Sequence, residues 1–307
     1  MRRRDFIYKG IGAGLLTGVG LRSNLFGSVL PGQAVEGASP YDLVAVRGGE
    51  AEVMFEEGIA ALGGMKTFVK ANQTVVIKPN IGWDTTPERA GCTNPKLVRK
   101  IVEHCFRAGA KEVYVFDNTC DNWQKCYANS GIEKAVKDAG GKIVTGGSES
   151  LYQEVELSKA KSLKKAKVHE LILSSDVFIN VPVLKHHHST TVTAAMKNLM
   201  GVVWDRGYWH RNDLPQCIAD FPTFRKPDLN IIDAYRVMKK NGPRGVSLED
   251  IVTMKAQVIS TDIVATDTAA IQLFGAAPAS IAYMSKAQDH GLGTMDLKSL
   301  NISRLTV

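Results

Sequence analysis

The chain has 307 residues, of which 44% are hydrophobic, and a formal net charge of +7. Residues 1–34 contain five basic residues and one acidic residue, a net charge of +4, so residues 35–307 carry only +3. A charge this small argues against nucleic acid as a partner. The remaining length, about 270 residues, is enough for one large domain or two closely packed lobes.

The first 34 residues resemble a twin-arginine export signal. Arg3 and Arg4 are followed by a short glycine-rich apolar segment at 11–19, and the small residues at 32–34 suit a cleavage site. The apolar segment is too short for an ordinary membrane-spanning helix. We therefore expect export into the periplasm or another extracytoplasmic compartment. The export machinery would be a partner, and membrane contact would arise only through an uncleaved leader.

Apolar, β-branched runs alternate with amphipathic segments along the rest of the chain. Strands are predicted at 41–46, 74–80, 112–118, 142–147, 175–183, 229–236 and 256–261, and helices at 50–64, 94–110, 130–141 and 261–275. This order predicts an α/β fold, with a mostly parallel sheet flanked by helices. The basic stretch 159–167 has no interleaved aromatic residues, and we interpret it as a solvated helix face.

The predicted helix at 94–110 illustrates the basis of these assignments. Leu97, Ile101 and Cys105 lie at i, i+4 and i+8, which gives one apolar stripe. Asn94 can cap the start of the helix, and Gly109 can end it.

Polar side chains follow several of the predicted strands at the point where each strand ends. Ligands of open α/β sheets bind outside the carboxyl ends of the strands, so these groups are candidates for one shared site. The candidate catalytic residues are Lys78, Asp117, Lys185, His186 and His187. The candidate substrate-binding residues are Asn80, Asn118, Lys197, Asn198 and Asp233.

Three consecutive histidines follow Lys185 in this set. Alternation along an extended chain predicts that His186 and His188 face one site while His187 faces away. The threonines at 190, 191 and 193 are candidate caps for a following helix, whose free N–H groups beside Lys185 would attract an anion. The alternative is that the histidines are caps or surface residues.

Thiol and imidazole groups suggest a metal or an iron–sulfur cluster. Cys120, Cys126 and Cys217 with a histidine, His210 among the candidates, would complete a set of four ligands. The spacing does not match ordinary zinc or ferredoxin motifs. The alternatives are a Cys120–Cys126 disulfide, formed after export, or unlinked thiols.

Six stretches together resemble the family known as domain of unknown function 362. They are "VVIKPN" (75–80), "RAGAKEVYVFD" (107–117), "NVPVLKHH" (180–187), "AMKNLMG" (195–201), "NIIDAYRVMKKNGPRG" (230–245) and "STDIVATDTAAIQLFG" (260–275). The leader fits an exported branch of that family. Many members carry a ferredoxin-like module with closely spaced cysteines, whereas this sequence has no C-x-x-C. The resemblance therefore does not by itself imply an electron carrier.

The sequence supports three hypotheses about function. The first is an exported, redox-linked protein that holds a transition metal or an iron–sulfur cluster. The second is a metal-free enzyme for a small anionic substrate, a carboxylate or a phosphate, with lysine and histidine as acid–base groups. The third is a periplasmic binding protein without chemistry.

Overall fold

The computed structural model describes residues 39–307, so the leader predicted at 1–34 lies outside the described residues. The helices are α1 (Ala51–Ala61), α2 (Pro95–Ala108), α3 (Trp123–Asn129), α4 (Ile132–Asp138), α5 (Glu170–Ser174), α6 (Ala195–Asn198), α7 (Arg206–Arg211), α8 (Leu214–Asp220), α9 (Ile263–Phe274) and α10 (Ala282–Asp289). The strands are β1 (Leu43–Arg47), β2 (Thr74–Pro79), β3 (Glu112–Val115), β4 (Lys142–Ile143), β5 (Tyr152–Glu156), β6 (Lys165–His169), β7 (Val177–Val181), β8 (Val183–His187), β9 (Thr191–Thr193), β10 (Leu229–Met238), β11 (Ile251–Ser260) and β12 (Ile302–Thr306).

A ten-stranded sheet organises these elements, in the order β12-β1-β11-β10-β7-β2-β3-β4, with β8 and β9 attached through β10. Strands β10, β7, β2, β3 and β4 are parallel to their neighbours in that order. Strand β11 is antiparallel to both β10 and β1. The predicted α/β class with a mostly parallel sheet is confirmed. Strands β5 and β6 form a separate antiparallel pair.

Helices cover the sheet on both sides, and β2 shows why. Val75 and Ile77 pack into a core with α1 and α2, whereas Val76 packs into a second core with α8 and α9. Successive side chains of a strand point to opposite faces, so an apolar run in this strand requires cover on each face. Lys78 comes two residues after Val76 and therefore lies on the side of the second core.

Local sequence signals set the bounds of α2 and α9. The side chain of Asn94 accepts a hydrogen bond from the N–H of Lys96, and Gly109 ends α2 in a left-handed conformation. Asp262 likewise caps the start of α9 through the N–H of Ala265. The caps predicted for α2 are confirmed.

Two predicted elements were wrong. The run at 175–183 is not one strand, because it divides at Pro182 into β7 and β8. Proline has no N–H to donate to a central ladder, which explains the interruption. The basic stretch 159–167 is not a helix face, because it forms a turn and then enters β6. None of the helices in residues 39–307 is both long enough and apolar enough to span a membrane.

Candidate functional site

The parallel direction of β2, β3 and β7 brings the segments after their carboxyl ends to one edge of the sheet. Lys78 and Asn80 come from the end of β2, and Asp117 follows β3. Lys185 lies on β8, which starts two residues after β7 ends. The fourth contributor is α6, which carries Lys197 and Asn198. We call the group formed by Lys78, Asn80, Asp117, Lys185, Lys197 and Asn198 the lysine cluster.

A buried ion pair lies at the centre of the lysine cluster. Lys78 Nζ lies 3.0 Å from Asp117 Oδ1, and both side chains are almost fully buried. Lys78 Nζ also donates a hydrogen bond of 2.8 Å to Asn198 Oδ1, while Asp117 Oδ2 accepts one from the N–H of Ile81. Burial lowers the pKa of Lys78 and raises the pKa of Asp117, and their mutual attraction opposes both shifts.

Asn80 joins this ion pair to Lys185. Its Nδ2 donates to Asn198 Oδ1 at 2.9 Å, and its Oδ1 accepts from Lys185 Nζ at 3.1 Å. Lys185 Nζ also donates to the carbonyl of Gly91. Lys185 is only 1% exposed, and burial lowers its pKa to about 8.

Lys197 has the least compensated charge of the cluster. Its side chain is 8% exposed, and the hydrogen bond that Nζ makes is to the thioether of Met200 at 3.0 Å. A thioether is a weak acceptor, so this contact does little to solvate an ammonium group. Burial, with the positive charges of Arg206, Lys185 and Lys78 adding to it, lowers the pKa of Lys197 to about 7.

The helix that carries Lys197 begins differently from the prediction. The predicted threonine caps are wrong, because β9 occupies 191–193 and the N-cap residue of α6 is Ala194. The carboxylate of Asp267, on α9, instead accepts the N–H groups of Ala195 and Met196 at 2.5 and 3.1 Å. The start of this four-residue helix is therefore already occupied and offers no anion site. Burial raises the pKa of Asp267 to about 7.

Arg206, at the start of α7, adds a cation at the edge of the lysine cluster. Its guanidinium donates to the carbonyls of Asn118 and Thr119 at 2.6 Å each, and Nη1 lies 3.5 Å from the exposed Cys120 Sγ. Asn118 itself donates to the carbonyl of Val203 at 2.8 Å, so it braces the loop that leads to α7. Arg206 thus adds a fourth basic group beside the three lysines, and the carboxylate of Asp117 is paired with Lys78.

Gly201 allows the central ion pair to be so close to the backbone. A Cβ atom at this position would lie 2.0 Å from Asp117 Oδ1 and 2.6 Å from Lys78 Cε. The backbone carbonyl of Gly201 also accepts the N–H of Asn118 at 3.0 Å. A side chain at 201 is therefore incompatible with the observed pair.

The histidines are arranged differently from the alternation that we predicted. His187 stacks on His188 with ring centroids 5.1 Å apart, and on His210 at 6.3 Å. His186 is separate, since its Nδ1 accepts the N–H of Gly242 at 3.1 Å. Burial lowers the pKa of His187 to about 2, so this ring stays neutral at ordinary pH. The hairpin β8–β9 turns directly after His187 and breaks the simple alternation.

Asp233 lies at the same sheet edge but not in the lysine cluster. It is buried within β10 and accepts the N–H groups of Asn94 and Tyr235 at 2.7 and 3.0 Å. Burial raises its pKa to about 6. The carboxylate of Asp233, predicted as a substrate-binding group, instead holds the start of α2.

The predicted four-ligand metal set is not brought together. Cys126 packs in the core on one face of the sheet and Cys217 in the core on the other, while Cys120 is exposed. Within residues 39–307 no group of three or more His, Cys, Asp or Glu side chains could hold a metal ion. The predicted Cys120–Cys126 disulfide is also not formed, since all five cysteines are free thiols. Burial raises the pKa of Cys126 to about 12 and that of Cys217 to about 11, which disfavours the thiolates that bind metals.

Sequence reasoning missed three residues of this site. Arg206 does not follow a predicted strand, so the argument from strand ends did not include it. Gly201 gave no signal beyond its residue type. Asp267 lies inside an apolar helix, where an isolated buried carboxylate signals a specific partner.

Comparisons with known proteins found the following similarities. The thylakoid-associated protein sll1697 of Synechocystis sp. is 26% identical over 247 residues, which cover 75% of this chain and 72% of that protein. Among solved structures, the lactate racemase apoprotein from Thermoanaerobacterium thermosaccharolyticum is similar at 11% identity and a TM-score of 0.48. It covers 76% of this chain, which spans 57% of its length. A protein from Thermotoga maritima is similar at 12% identity and a TM-score of 0.33. It covers 50% of this chain, which spans 38% of its length.

A family model provides the assignment. The model described as domain of unknown function 362 matches residues 75–272. This range includes every residue of the lysine cluster and also Arg206, Gly201 and Asp267. It covers well over half of the chain, and the chain therefore belongs to the family of domain of unknown function 362.

Proposed function

We propose that this protein is an enzyme that binds a small carboxylate or phosphate at the lysine cluster and moves a proton at the bound molecule. The observation that carries the proposal is the buried Nζ of Lys197, which within residues 39–307 donates a hydrogen bond to a thioether and to no oxygen acceptor. An ammonium group in this position lacks the oxygen partners that buried charges require. An anionic ligand would supply them.

The charge balance supports an anion as the ligand. Lys78, Lys185, Lys197 and Arg206 bring four basic groups close together, and within residues 39–307 the ion pair formed among them is that of Lys78 with Asp117. Placing like charges together away from water is unfavourable, and the lowered pKa values of Lys185 and Lys197 express that cost. A carboxylate or phosphate would neutralise the excess charge and accept several of the N–H donors.

Lys197 is the group suited to proton transfer. A pKa of about 7 leaves it close to equally divided between amine and ammonium at neutral pH. A general acid or base works best when its pKa is near the operating pH. Lys185, with a pKa of about 8, stays mostly charged and would orient the anion, while Asn80 and Asn198 hold the lysines in place.

The two other hypotheses have less support. A metal or iron–sulfur centre at the predicted cysteines would need donors that lie on opposite faces of the sheet. A binding protein without chemistry would not need a lysine whose pKa is near neutrality. We also propose that the protein is exported. This part of the proposal rests on the sequence of residues 1–34 alone.

Calorimetry with sulfate and acetate tests the binding, because neither anion titrates between pH 6 and 8.5. We expect binding that weakens about tenfold or more over this range as Lys197 and Lys185 lose their charge. Titrations at pH 7 in buffers of different ionisation enthalpy should also show proton uptake, because a bound anion raises the pKa of Lys197. Lys197→Met should abolish the uptake, whereas Lys298→Met, at an exposed position, should leave it unchanged.

A second measurement addresses the chemistry. Exchange of carbon-bound hydrogen in malonate or pyruvate with D2O, followed by NMR, reports proton removal next to a carbonyl group. Wild type should accelerate the exchange of a bound carboxylate, and Lys197→Met should not. Absence of any anion binding would refute the proposed function. Proton uptake that Lys197→Met leaves unchanged would also refute it.

A further inference from the structure

A surface cleft of about 400 Å³ lies outside the lysine cluster and is not used by the proposed chemistry. Its volume lies within the range of small-molecule sites. The segment after β2 forms one wall with Asp84, Thr85 and Arg89, and the turn before β11 forms the other with Arg244. Asn129, at the end of α3, closes one side.

One polar side chain of the cleft lacks a hydrogen-bond partner within residues 39–307. The side chain of Thr85 is 7% exposed, and its buried hydroxyl makes no hydrogen bond within the described part of the chain. A buried hydroxyl without a partner is unfavourable and points to a ligand or an ordered water. The unpartnered hydroxyl of Thr85 therefore indicates a ligand independently of the charged groups in the cleft.

Two guanidinium groups give the cleft its chemistry. Arg244 lies over the ring of Trp83 at 5.9 Å and is 62% exposed, and its ion pair with Asp121 is long, at 3.6 Å. Arg89 donates one hydrogen bond of 2.7 Å to the carbonyl of Val246. A guanidinium has five N–H donors, so most of these donors remain for a ligand, and a fork of donors matches carboxylate or phosphate.

Two loops connect the cleft to the lysine cluster. The loop after β2 runs from Asn80, in the cluster, to Asp84, in the cleft, a span of at most about 14 Å. The loop after β3 runs beside it, since the N–H of Cys120 donates to Gly82 and the N–H of Asp84 donates to Asp121.

Gly91 contacts both the lysine cluster and the cleft. Its carbonyl accepts the hydrogen bond from Lys185, and a Cβ on the same residue would lie 2.8 Å from Thr85 Cγ2. The buried ammonium of Lys185 and the methyl group of Thr85 therefore both lie close to Gly91.

We propose that this cleft binds the second anionic group of the substrate whose first anionic group is bound in the lysine cluster. The substrate class is then an elongated dianion, a dicarboxylate or a phosphorylated carboxylate, rather than a small monoanion. This inference rests on the proposed function, and it adds Arg244, Arg89 and Thr85 as the residues that select for length.

A series of straight-chain dicarboxylates, from succinate to sebacate, measures this selection by calorimetry. Each dicarboxylate is compared with the monocarboxylate of the same carbon number, which controls for the apolar chain. We expect one length to bind about tenfold more tightly than its monocarboxylate, the effect of one or two charged hydrogen bonds. Arg244→Gln should remove that gain, and Thr85→Val should reduce it. Arg304→Gln, at an exposed position on the edge strand β12, should leave it unchanged.

The outcomes separate this inference from the proposed function. Dicarboxylates that bind no better than their monocarboxylates would overturn the inference, while acetate binding that depends on Lys197 would leave the proposed function standing. A length preference that survives Arg244→Gln and Thr85→Val would likewise overturn the assignment to this cleft. If neither a carboxylate nor sulfate binds wild type, both proposals fail.

Discussion

Replacement of Lys197 by methionine should flatten the pH dependence of folding stability. In the folded chain burial lowers the pKa of Lys197 to about 7, whereas the ordinary value is 10.5. Between pH 6 and 8.5 the unfolded chain keeps this proton while the folded chain loses it. Unfolding then takes up a proton, so the free energy of unfolding of the wild-type protein rises with pH.

The magnitude follows from that pKa. One pKa unit corresponds to about 1.4 kcal/mol, and integrating the difference in bound protons from pH 6 to 8.5 gives about 2 kcal/mol for Lys197 alone. Methionine has a similar length and no charge, so Lys197→Met removes this contribution and keeps most of the packing. Other titrating groups, including Asp267, remain in both proteins, and the difference between variant and wild type isolates the lysine.

Urea denaturation at pH 6, 7 and 8.5, in low-sulfate buffer, measures the effect. The variant should gain about 2 kcal/mol less than wild type between the extremes of pH. Lys298→Met, at an exposed position, should follow wild type. Parallel curves for Lys197→Met and wild type would show that Lys197 is charged throughout this range, and the argument for a proton-transfer group would then be wrong.

Three further predictions concern other parts of the molecule. Gly201→Ala should destabilise the protein by about 3 kcal/mol, measured by urea denaturation, because the new methyl group displaces the carboxylate of Asp117 from its buried partner. In the native protein Cys120 should be the single thiol among residues 39–307 that reacts quickly with a thiol reagent, since the other four are buried, and mass spectrometry would locate the label. Residues 1–40 fused to a folded reporter should direct its export, and replacement of Arg3 and Arg4 by lysine should stop it.

Each of these predictions has a control. Gly207→Ala would meet the flexible end of the Arg211 side chain and, at 3.1 Å, Asp205 Oδ1, both of them on exposed side chains, so it should cost much less than the change at Gly201. A similar loss of stability in both variants would contradict the steric argument. Cys120→Ser should abolish the fast labelling, and rapid labelling that persists would mean that a buried thiol opens to solvent. Export that continues with the lysine pair would show that the leader uses another route.

Elements governed by neighbouring residues were predictable from the sequence. The caps of α2 at Asn94 and Gly109 depend on residues within one turn of the helix ends, so composition and spacing were sufficient. The shared edge was also predictable, because parallel strands align their carboxyl ends, and Lys78 lies near the end of β2 while Lys185 lies on β8, just after β7.

Contacts between distant segments were not predictable in the same way. Cys126 and Cys217 are suitable ligands by type, but the sheet lies between them, and a list of residue types contains no such information. Alternation failed for His187 because a hairpin turn follows it immediately. The contact of Lys197 with the thioether of Met200 could not be predicted for a related reason, because burial of the ammonium group depends on how several segments pack at this edge of the sheet.

The carboxylate of Asp267 has a consequence for how the protein reaches its native state. Helix α6 has four residues, too few to form alone, and its N–H groups are held by an acceptor that lies 71 and 72 positions away in the chain. Contacts between such distant positions form only after a large loop has closed. Lys197 therefore reaches its place late, after α9 has docked. A nascent or truncated chain that ends before α9 would contain Lys78, Lys185, Lys197 and Arg206 and still lack the assembled centre.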